Sequence, residues 1–493
     1  MPTQASIKFS GLFSSSISSS ICSSRLTPST ITSYSLLSCS LLILSSTAYS
    51  AGFALIENSA SGMGKAYAGA AAVAEDASTV WFNPAGMTYL SENLGGKSQI
   101  SSALNIVVAG TDFKDKGSAP PASLGSAVID GKKIVNETIV SPIPALYYMH
   151  PINDKLNFGL SINGPFGSKT EYDEDWIGRY QATKTDMKTF NINPSLSWKA
   201  NDKLSLGAGI SAQYIDVKLG KSYDTAAACR KVALQSGSTA ILDYCNARYP
   251  KAAQYKKDGQ ALVSGDDISF GFNLGLLYQP SDLTRVGFTY RSQIKHNLEG
   301  KATYQNDPNF VPIVAQLESL GINTFTNRGI EAAVDLPESI SLSLVHKLSN
   351  RLELMGDVTW TGWSSFKELR ITEAGTGTEV TNVPEKWKDV TRVSLGANYK
   401  YNDKLTLRTG VALDQEPILS PRYRTPRIPG NDRTWLSFGA GYKMNKKLSL
   451  DFGYSHLFLD KTAIDNPGES GYSVKGLYDS QVDIVSAQIN YTF

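Results

Sequence analysis

Alternation of apolar and polar residues constrains the fold of this chain more than any other feature. Within residues 203–217 the even positions from Leu204 to Tyr214 are apolar, and the odd positions from Ser205 to Gln213 are small or polar. The same alternation recurs at 156–162, 268–276 and 448–454. Successive side chains of a strand point to opposite faces, so each segment has one face for lipid and one for water. About fourteen such segments in one chain predict an all-β protein, an antiparallel transmembrane β-barrel.

Turns and loops give the strand count. Short polar turns fall at six places: Pro151–Asp154, Asn201–Asp202, Pro280–Asp282, Ser349–Asn350, Asn402–Asp403 and Asn445–Lys446. Longer polar connections lie between them, at about 111–134, 170–186, 218–265, 299–330, 370–386, 414–432 and 461–478. Tight turns alternating with long loops predict 14 strands, with both mature termini on the periplasmic side.

The first 50 residues differ from the rest of the chain. They are rich in serine, become apolar from Leu36 to Leu44, and end in small residues before Ala51. We interpret residues 1–50 as a signal peptide and exclude them from the fold. The apolar run is too short to span a bilayer as a helix, which excludes a helical transporter. The formal net charge is +2 with no basic run, so we expect no nucleic-acid partner.

Two cysteines, Cys229 and Cys245, remain after the predicted leader, both in one long polar stretch. In an exported protein two such cysteines form a disulfide more often than a metal site. Two free thiols are the alternative. We expect no metal and no cofactor.

Residues 51–94 do not alternate and are rich in glycine and alanine. A segment of this kind ahead of the strands is a linker or a plug. The lumen of a 14-stranded barrel is too wide for side chains alone to fill, and small residues would let a plug pack inside it.

Two blocks carry a family resemblance. The first comprises Ala51-Gly52-Phe53, residues 61–69 and Asn83-Pro84-Ala85; the second runs from Leu407 through 428–433 to Trp435. The chain resembles the FadL family of bacterial outer-membrane long-chain fatty acid transporters. The resemblance implies an N-terminal hatch (51–94) inside a barrel (95–493), and passive import of long-chain fatty acids or other hydrophobic small molecules. Some relatives of this family take up monoaromatic hydrocarbons instead.

The third strand is interrupted. Its alternation stops at Gly164-Pro165-Phe166-Gly167, where proline cannot donate a backbone hydrogen bond and glycine permits a bend. The strand either kinks here or simply ends. The resemblance favours an inward kink that opens the barrel wall towards lipid.

Ligand contacts are expected in two regions. The loop at 299–330 carries Phe310, Val311, Ile313, Val314 and Leu317 at helical spacing, which would capture an apolar ligand or pack as a lid with loop 218–265. Candidate contacts for a carboxylate are Arg408, which the alternation of its segment predicts to point inward, and Lys218, Lys221 and Arg392. The alternative for each charge is pairing with an acidic neighbour in a polar lumen.

The chain ends on an alternating strand whose last residue is Phe493. This ending resembles the signal read by the bacterial barrel-assembly machinery, and the lipid-facing belt implies contact with outer-membrane lipid and lipopolysaccharide. Four histidines and no catalytic triad argue against an enzyme. A general porin would not need the glycine-rich segment, whereas an adhesin or phage receptor is compatible with long loops. We therefore predict an importer of hydrophobic compounds in the outer membrane.

Overall fold

The computed structural model describes residues 52–124, 127–319, 321 and 324–493. The predicted signal peptide and Ala51 lie outside these residues. The described chain forms one antiparallel sheet of twenty segments. Their bounds are β1 Gln99–Asp115, β2 Ile134–Pro151, β3 Leu156–Asn163, β4 Gly167–Glu171, β5 Lys184–Lys199, β6 Leu204–Tyr223, β7 Gly259–Ser281, β8 Thr284–Arg291, β9 Ile294–Gln305, β10 Arg328–Leu336, β11 Ser339–Lys347, β12 Leu352–Thr361, β13 Glu368–Glu373, β14 Glu379–Pro384, β15 Val390–Lys400, β16 Leu405–Asp414, β17 Arg433–Lys443, β18 Leu448–Leu459, β19 Thr462–Asn466 and β20 Val474–Thr492.

The twenty segments make a closed barrel of fourteen membrane-crossing spans. Six spans consist of two consecutive segments, namely β3/β4, β8/β9, β10/β11, β12/β13, β14/β15 and β18/β19. The two members of such a span pair with the same neighbouring span, as β3 and β4 both pair with β5. The ring closes where β1 pairs with β20, with Gln99 opposite Thr492. The predicted 14-stranded antiparallel barrel is confirmed.

The six predicted turns are the short connections at one end of the barrel. At the other end the strands extend further than the alternation indicated. β6 and β7 pair from Leu204–Tyr278 to Tyr223–Gly259, so the predicted loop 218–265 shortens to 224–258. The predicted loop 370–386 likewise contains most of the β13–β14 hairpin. Backbone pairing continues past the lipid belt because a strand in water needs no apolar face to complete its hydrogen bonds.

Large apolar side chains point outward around the barrel. Ile210, Phe270 and Leu395 are 64%, 70% and 62% exposed, and their strand neighbours are inward and small or polar. This continuous apolar exterior is the surface that a lipid bilayer covers. None of the described helices is both long and apolar enough to cross a membrane.

Residues 52–98, here called the N-terminal segment, fill the barrel lumen. The segment contains four short helices: α1 Ala60–Met63, α2 Ala70–Val73, α3 Thr79–Phe82 and α4 Gly86–Asn93. It is hydrogen-bonded to strands on every side of the ring. These bonds join Ala60 N to Gln488 on β20, Ala71 N to Ser343 on β11, Ala77 N to Gln99 on β1, Asn83 to Leu276 O on β7 and Thr88 to Ser205 on β6. The segment is therefore a plug held by the wall around its whole circumference.

Three helices form a lobe on the long-loop end, here called the helical lobe: α5 Thr225–Ser236, α6 Thr239–Arg248 and α7 Val311–Ser319. Asp224 and Ser238 cap α5 and α6 by accepting backbone hydrogen bonds from Ala227 and Ile241. A disulfide joins Cys229 on α5 to Cys245 on α6. Short 3-10 helices at Ala122–Leu124, Tyr255–Lys257 and Trp363–Ser365 complete the described helices.

Candidate ligand path

The third span is interrupted at the predicted place. β3 ends at Asn163, opposite Asn191 of β5, and β4 begins at Gly167, opposite Lys188. The third span therefore has one more residue between these pairs than β5 has, which is a β-bulge. On its other side β3 pairs with β2 only as far as Ile162 and Leu146, and the described residues form no further β2–β3 or β2–β4 ladder. Among the residues that the structure describes, the wall thus has no ladder pairing between β2 and the third span beyond this point.

The N-terminal segment forms backbone hydrogen bonds with the residues of the interruption. Leu55 N donates to Pro165 O at 2.8 Å, and Gly167 N donates to Phe53 O at 2.9 Å. Ala54 and Phe166 form an isolated antiparallel bridge. On the other side Phe166 N donates to Thr189 Oγ1 at 2.9 Å. The interrupted strand is therefore paired with the plug at the point where it leaves its neighbour in the wall.

Aromatic rings enclose Phe53, the second described residue. Its ring centroid lies 4.6 Å from Trp363, 5.4 Å from Phe366, 5.4 Å from Trp387 and 6.2 Å from Phe166. All five rings are buried in one cluster, here called the aromatic cluster. Because Phe166 also contacts Trp363, the interruption reaches across the lumen to residues beside β12 and β13.

A cavity of about 1520 Å³ lies above the aromatic cluster, among the long loops. Leu369 and Tyr423 line this cavity and also pack against the aromatic cluster, so the cluster adjoins the cavity as well as the interruption. Seven basic side chains line it: Lys221, Arg230, Lys231, Arg328, Lys386, Arg422 and Arg427. Four acidic side chains, Asp224, Glu379, Glu385 and Glu469, also line it, so the lining carries an excess of positive charge.

The residues predicted for ligand capture form part of the helical lobe. Phe310, Ile313, Val314 and Leu317 are buried against α5 and α6 in the cluster that includes both cysteines. Val311 is 49% exposed. These four side chains therefore pack within the lobe, as in the lid that was the alternative to ligand capture. Other residues of the lobe, Ala227, Ala228 and Leu234, line the cavity.

Two acidic groups, Asp258 and Asp307, join the loops next to the helical lobe. Burial raises the pKa of Asp258 to about 7, against the opposing effect of the Arg179 guanidinium, whose Nε lies 2.7 Å from the carboxylate. At Asp307 burial is outweighed by hydrogen bonds from the Tyr249 hydroxyl, at 2.6 Å, and from Asn309, and the pKa is lowered. Arg179 also bonds Asp130, which ties three loops together.

The candidate carboxylate contacts have different environments. Arg408 Nη1 donates to Asp451 at 2.7 Å and Nη2 to Glu75 of the N-terminal segment at 3.1 Å. Lys65 also donates to Glu75. Arg408 therefore holds the plug to the wall by charge pairing, the alternative weighed from sequence. The sequence pattern of β16 identified its inward direction but could not indicate its partner, which lies 333 residues away.

Lys221 and Lys218 lie near the outer end of β6. Lys221 lines the cavity, 3.7 Å from Glu469, whereas Lys218 lies 3.8 Å from Asp216 on its own strand. Arg392 is buried in the lumen, where Nη2 donates to Ala66 O at 2.8 Å. The structure therefore separates these three candidates: Lys221 lies in the cavity, Arg392 lies against the plug, and Lys218 lies at neither place.

Asn83, Pro84 and Ala85 seat the plug on β6 and β7. Asn83 donates to Ala71 O at 2.6 Å and to Leu276 O at 3.0 Å, and it accepts from Ala85 N at 3.0 Å. Gly207 and Gly275 face this turn so closely that a Cβ would lie 2.4 Å from Ala85 N and 2.1 Å from Asn83 Oδ1. The inward glycines of the alternating segments were a sequence signal for the path of the plug that we did not use.

Each of the four histidines contacts a polar side chain. His150 Nδ1 lies 2.8 Å from Ser98 Oγ, and His346 Nδ1 lies 2.9 Å from Thr284 Oγ1. His296 contacts Asp267 at 2.8 Å, and the nearby Ser269 donates to Asp267 instead of to the imidazole. His456 contacts Asp483 on the outer surface. Within the described residues, groups of three or more His, Cys, Asp or Glu side chains able to hold a metal ion are absent.

A closed ring of fourteen strands, a lipid-facing belt and a lumen filled by its own N-terminal segment define an outer-membrane β-barrel with a plug. The family of outer membrane protein transport proteins (OMPP1/FadL/TodX) matches residues 41–493. The chain belongs to this family, whose members are channels for hydrophobic compounds in the bacterial outer membrane.

Related proteins match this chain over most of their length. A long-chain fatty acid transport protein of Salmonella typhi is 30% identical over 458 residues, covering 92% of this chain and 97% of that protein. The crystal structure of a Pseudomonas aeruginosa FadL homologue has a TM-score of 0.79 at 26% identity, covering 90% of this chain and 99% of that one. The toluene transporter TbuX of Ralstonia pickettii has a TM-score of 0.57 at 18% identity, covering 90% and 99%, which is a likeness of fold.

Proposed function

We propose that this protein imports long-chain fatty acids by capture in the external cavity, movement of the start of the N-terminal segment, and lateral release at the interruption of the third span. The observation that carries this proposal is the bridge between Ala54 and Phe166. It couples the plug to the third span, whose pairing with β2 stops at Ile162. Moving residues 53–55 would release both the aromatic cluster and the backbone of the interruption.

The cavity supports the first stage. Its lining combines apolar side chains with an excess of basic groups, Lys221 among them, which suits a carboxylate attached to a hydrocarbon chain. The Salmonella typhi relative carries the same substrate in its name. Withdrawal of Phe53 from between Trp363, Phe366 and Trp387 would connect the cavity to the interruption.

A lateral exit is favoured by the free energy of hydration. Burial stabilises each methylene by about 0.8 kcal/mol, so releasing a 16-carbon chain into water would cost on the order of 12 kcal/mol. Exit between β2 and the third span would deliver the chain into bilayer and avoid most of that cost. Outer-membrane lipid and lipopolysaccharide are the neighbours that we propose at this opening, with the barrel-assembly machinery as the partner of the C-terminal strand.

Uptake of radiolabelled oleate tests the path. Residues Gly164–Gly167 are replaced by an alternating sequence one residue shorter, which removes the bulge and lets the strand pair with β2. We expect oleate uptake to fall to the level of cells without the protein, since the exit is closed. The matched control replaces Ser292-Gln293, the break between β8 and β9, and should transport normally.

Toluene uptake is measured in parallel, because monoaromatic hydrocarbons are the second candidate substrate. Uptake of toluene without oleate would keep the path and reassign the substrate. Normal oleate uptake by the correctly assembled Gly164–Gly167 variant would contradict lateral release. Transport of neither compound by the unmodified protein would favour a receptor or adhesin.

A further inference from the structure

Two buried amide side chains face each other at the inner edge of the interruption. Asn163, the last residue of β3, is 2% exposed, and Asn191 of β5 is 0% exposed. The register of β3 and β5 pairs these two residues directly, and both lie on the lumen face of their strands. Directly opposite residues of an antiparallel pair have Cβ atoms about 5 Å apart, so the two amides form one patch.

These amides have no hydrogen-bond partner at either end. Among the described residues, neither the oxygen nor the nitrogen of Asn163 or of Asn191 has such a partner, and no other buried amide side chain lacks one at both ends. Deeper on the same two strands, Asn157 donates to Ser197 and Asn193 donates to Asn273. Burial of an unbonded amide is costly, so two of them side by side indicate a polar site in the wall.

The hydroxyl of Tyr147 adds a third polar group, from the other side of the proposed exit. Tyr147 is buried on β2, opposite Ser161 of β3, and the ladder between these strands ends at the next pair of residues. Its hydroxyl lies next to Asn163 and donates to Asn58 O of the N-terminal segment at 2.8 Å. The polar groups therefore flank the point where β2 and the third span part.

The inner wall changes from polar to apolar at the level of these amides. On β5 the next lumen-facing residues towards the long loops are Thr189, whose hydroxyl is bonded to the backbone of the interruption, and Met187. On β6 Gln213 pairs with Asn191, and Ile215 is the next lumen-facing residue. Met187 and Ile215 pack with the aromatic cluster. A hydrocarbon chain lying along the aromatic cluster would therefore place its head group among the amides.

The chemistry of the patch suits an uncharged head group. Amide side chains donate and accept hydrogen bonds but cannot neutralise a carboxylate, and a buried charge without a counter-charge is far more costly than a buried neutral group. The charged groups that act on Tyr147 are Asp76 and Arg291, one of each sign. A hydroxyl or a protonated carboxyl both donates and accepts, and so matches the amides without adding charge.

We propose that Asn163, Asn191 and Tyr147 form a binding site for the uncharged head group of the ligand at the inner end of the lateral exit. The inference rests on the proposed function and specifies its substrate class, an unbranched hydrocarbon chain that ends in a protonated carboxyl or a hydroxyl. The amides hold the head group while the chain enters the bilayer between β2 and the third span. A hydrocarbon without a head group gains nothing from this site.

Uptake by cells that lack their own transporter tests the site, with radiolabelled oleate, oleyl alcohol and 1-octadecene as probes of equal chain length. We expect Asn163→Leu/Asn191→Leu to lower uptake of oleate and oleyl alcohol about tenfold, because two hydrogen bonds to the head group are lost. Uptake of 1-octadecene should not change. The matched control is Asn157→Leu, on the same face of β3 but nearer the short turns, which should leave the ratio of alcohol to octadecene uptake unchanged.

The unfolding temperature of the barrel separates this role from a structural one. The two amides make no hydrogen bond to a described residue, so the double variant should be at least as heat-resistant as the wild type. A lower unfolding temperature together with equal loss of all three probes would assign the amides to the fold and overturn the inference.

Equal changes in the uptake of oleyl alcohol and 1-octadecene would also overturn it, as would oleate uptake at the wild-type rate. Should the double variant fail to assemble, Asn191→Leu alone decides the question through the ratio of alcohol to octadecene uptake. Wild-type cells that take up neither oleate nor oleyl alcohol refute the proposed function itself. Wild-type uptake of both, with the same rates in the variants, refutes the head-group site alone.

Discussion

At the scale of single residues, the fit between plug and wall depends on glycines, because a larger side chain at these positions would collide with the plug. Gly207 and Gly275 stand on neighbouring strands where Asn83, Pro84 and Ala85 approach the wall. In the sequence these glycines were only the small members of an alternating pattern. Their role required knowledge of what lies against them, because a strand facing water and a strand facing a plug both tolerate small residues.

Gly207→Ala is therefore expected to unseat the plug locally while the barrel still assembles. The added Cβ would lie 2.4 Å from a backbone nitrogen, which cannot rotate away, so overpacking should destabilise the seated plug by about 1–3 kcal/mol. The measurement is ion conductance of the protein in a planar bilayer, where more frequent openings are expected. Gly110→Ala, whose Cβ would meet only Gln481 at 3.6 Å, is the control. Identical conductance traces for the two variants would contradict this account.

At the scale of elements, alternation and turn chemistry predicted the fourteen spans and their six short connections. They could not predict where strands end beyond the membrane, since backbone pairing there is independent of an apolar face. Nor could they place Phe310, Ile313, Val314 and Leu317. Helical spacing identifies an apolar face, and only the position of α5 and α6 determines that the lobe itself covers it.

The disulfide joins α5 to α6 in the helical lobe, whose packing the sequence did not predict. Cys229 and Cys245 are 16 residues apart, so their bond should stabilise the helical lobe by about 3 kcal/mol through the entropy of the unfolded loop. We expect the Cys229→Ser/Cys245→Ser variant to be cleaved by protease within 224–258 at lower denaturant concentrations than the wild type. The barrel should stay resistant, which serves as the internal control. Equal protease sensitivity of the helical lobe in the wild type and in the variant would show that packing alone stabilises the lobe.

At the scale of the whole molecule, the plug is fixed on one side and adjustable on the other. Arg408, Glu75, Asp451 and Lys65 form a buried ionic network between the segment and β16 and β18. Residues 53–55 are held instead by aromatic contacts and by backbone bonds to the interruption. The alternation of β16 predicted that Arg408 points inward, but distance in sequence concealed its partners.

Arg408→Gln should release the fixed side. Two carboxylates would lose their shared partner, which typically destabilises a buried site by about 3–5 kcal/mol. We expect faster amide hydrogen exchange throughout residues 60–76 in the variant. Arg370→Gln, which removes an exposed pair with Glu379, should leave exchange unchanged. Protection retained at 60–76 in Arg408→Gln would mean that packing, not charge, anchors the plug.

The pairing of Gln99 with Thr492 also has a consequence for the order of assembly. The seam of the ring joins the first strand to the last, and Ser98 and Phe493 exchange both backbone hydrogen bonds across it. The ribosome therefore synthesises the closing strand β20 last, long after the residues of the plug. Because the wall surrounds the plug and bonds it on every side, we expect the N-terminal segment to be in position before the last strand closes the ring. A chain cut short near its end would leave the seam open along β1 and β18, whatever the quality of the other strands.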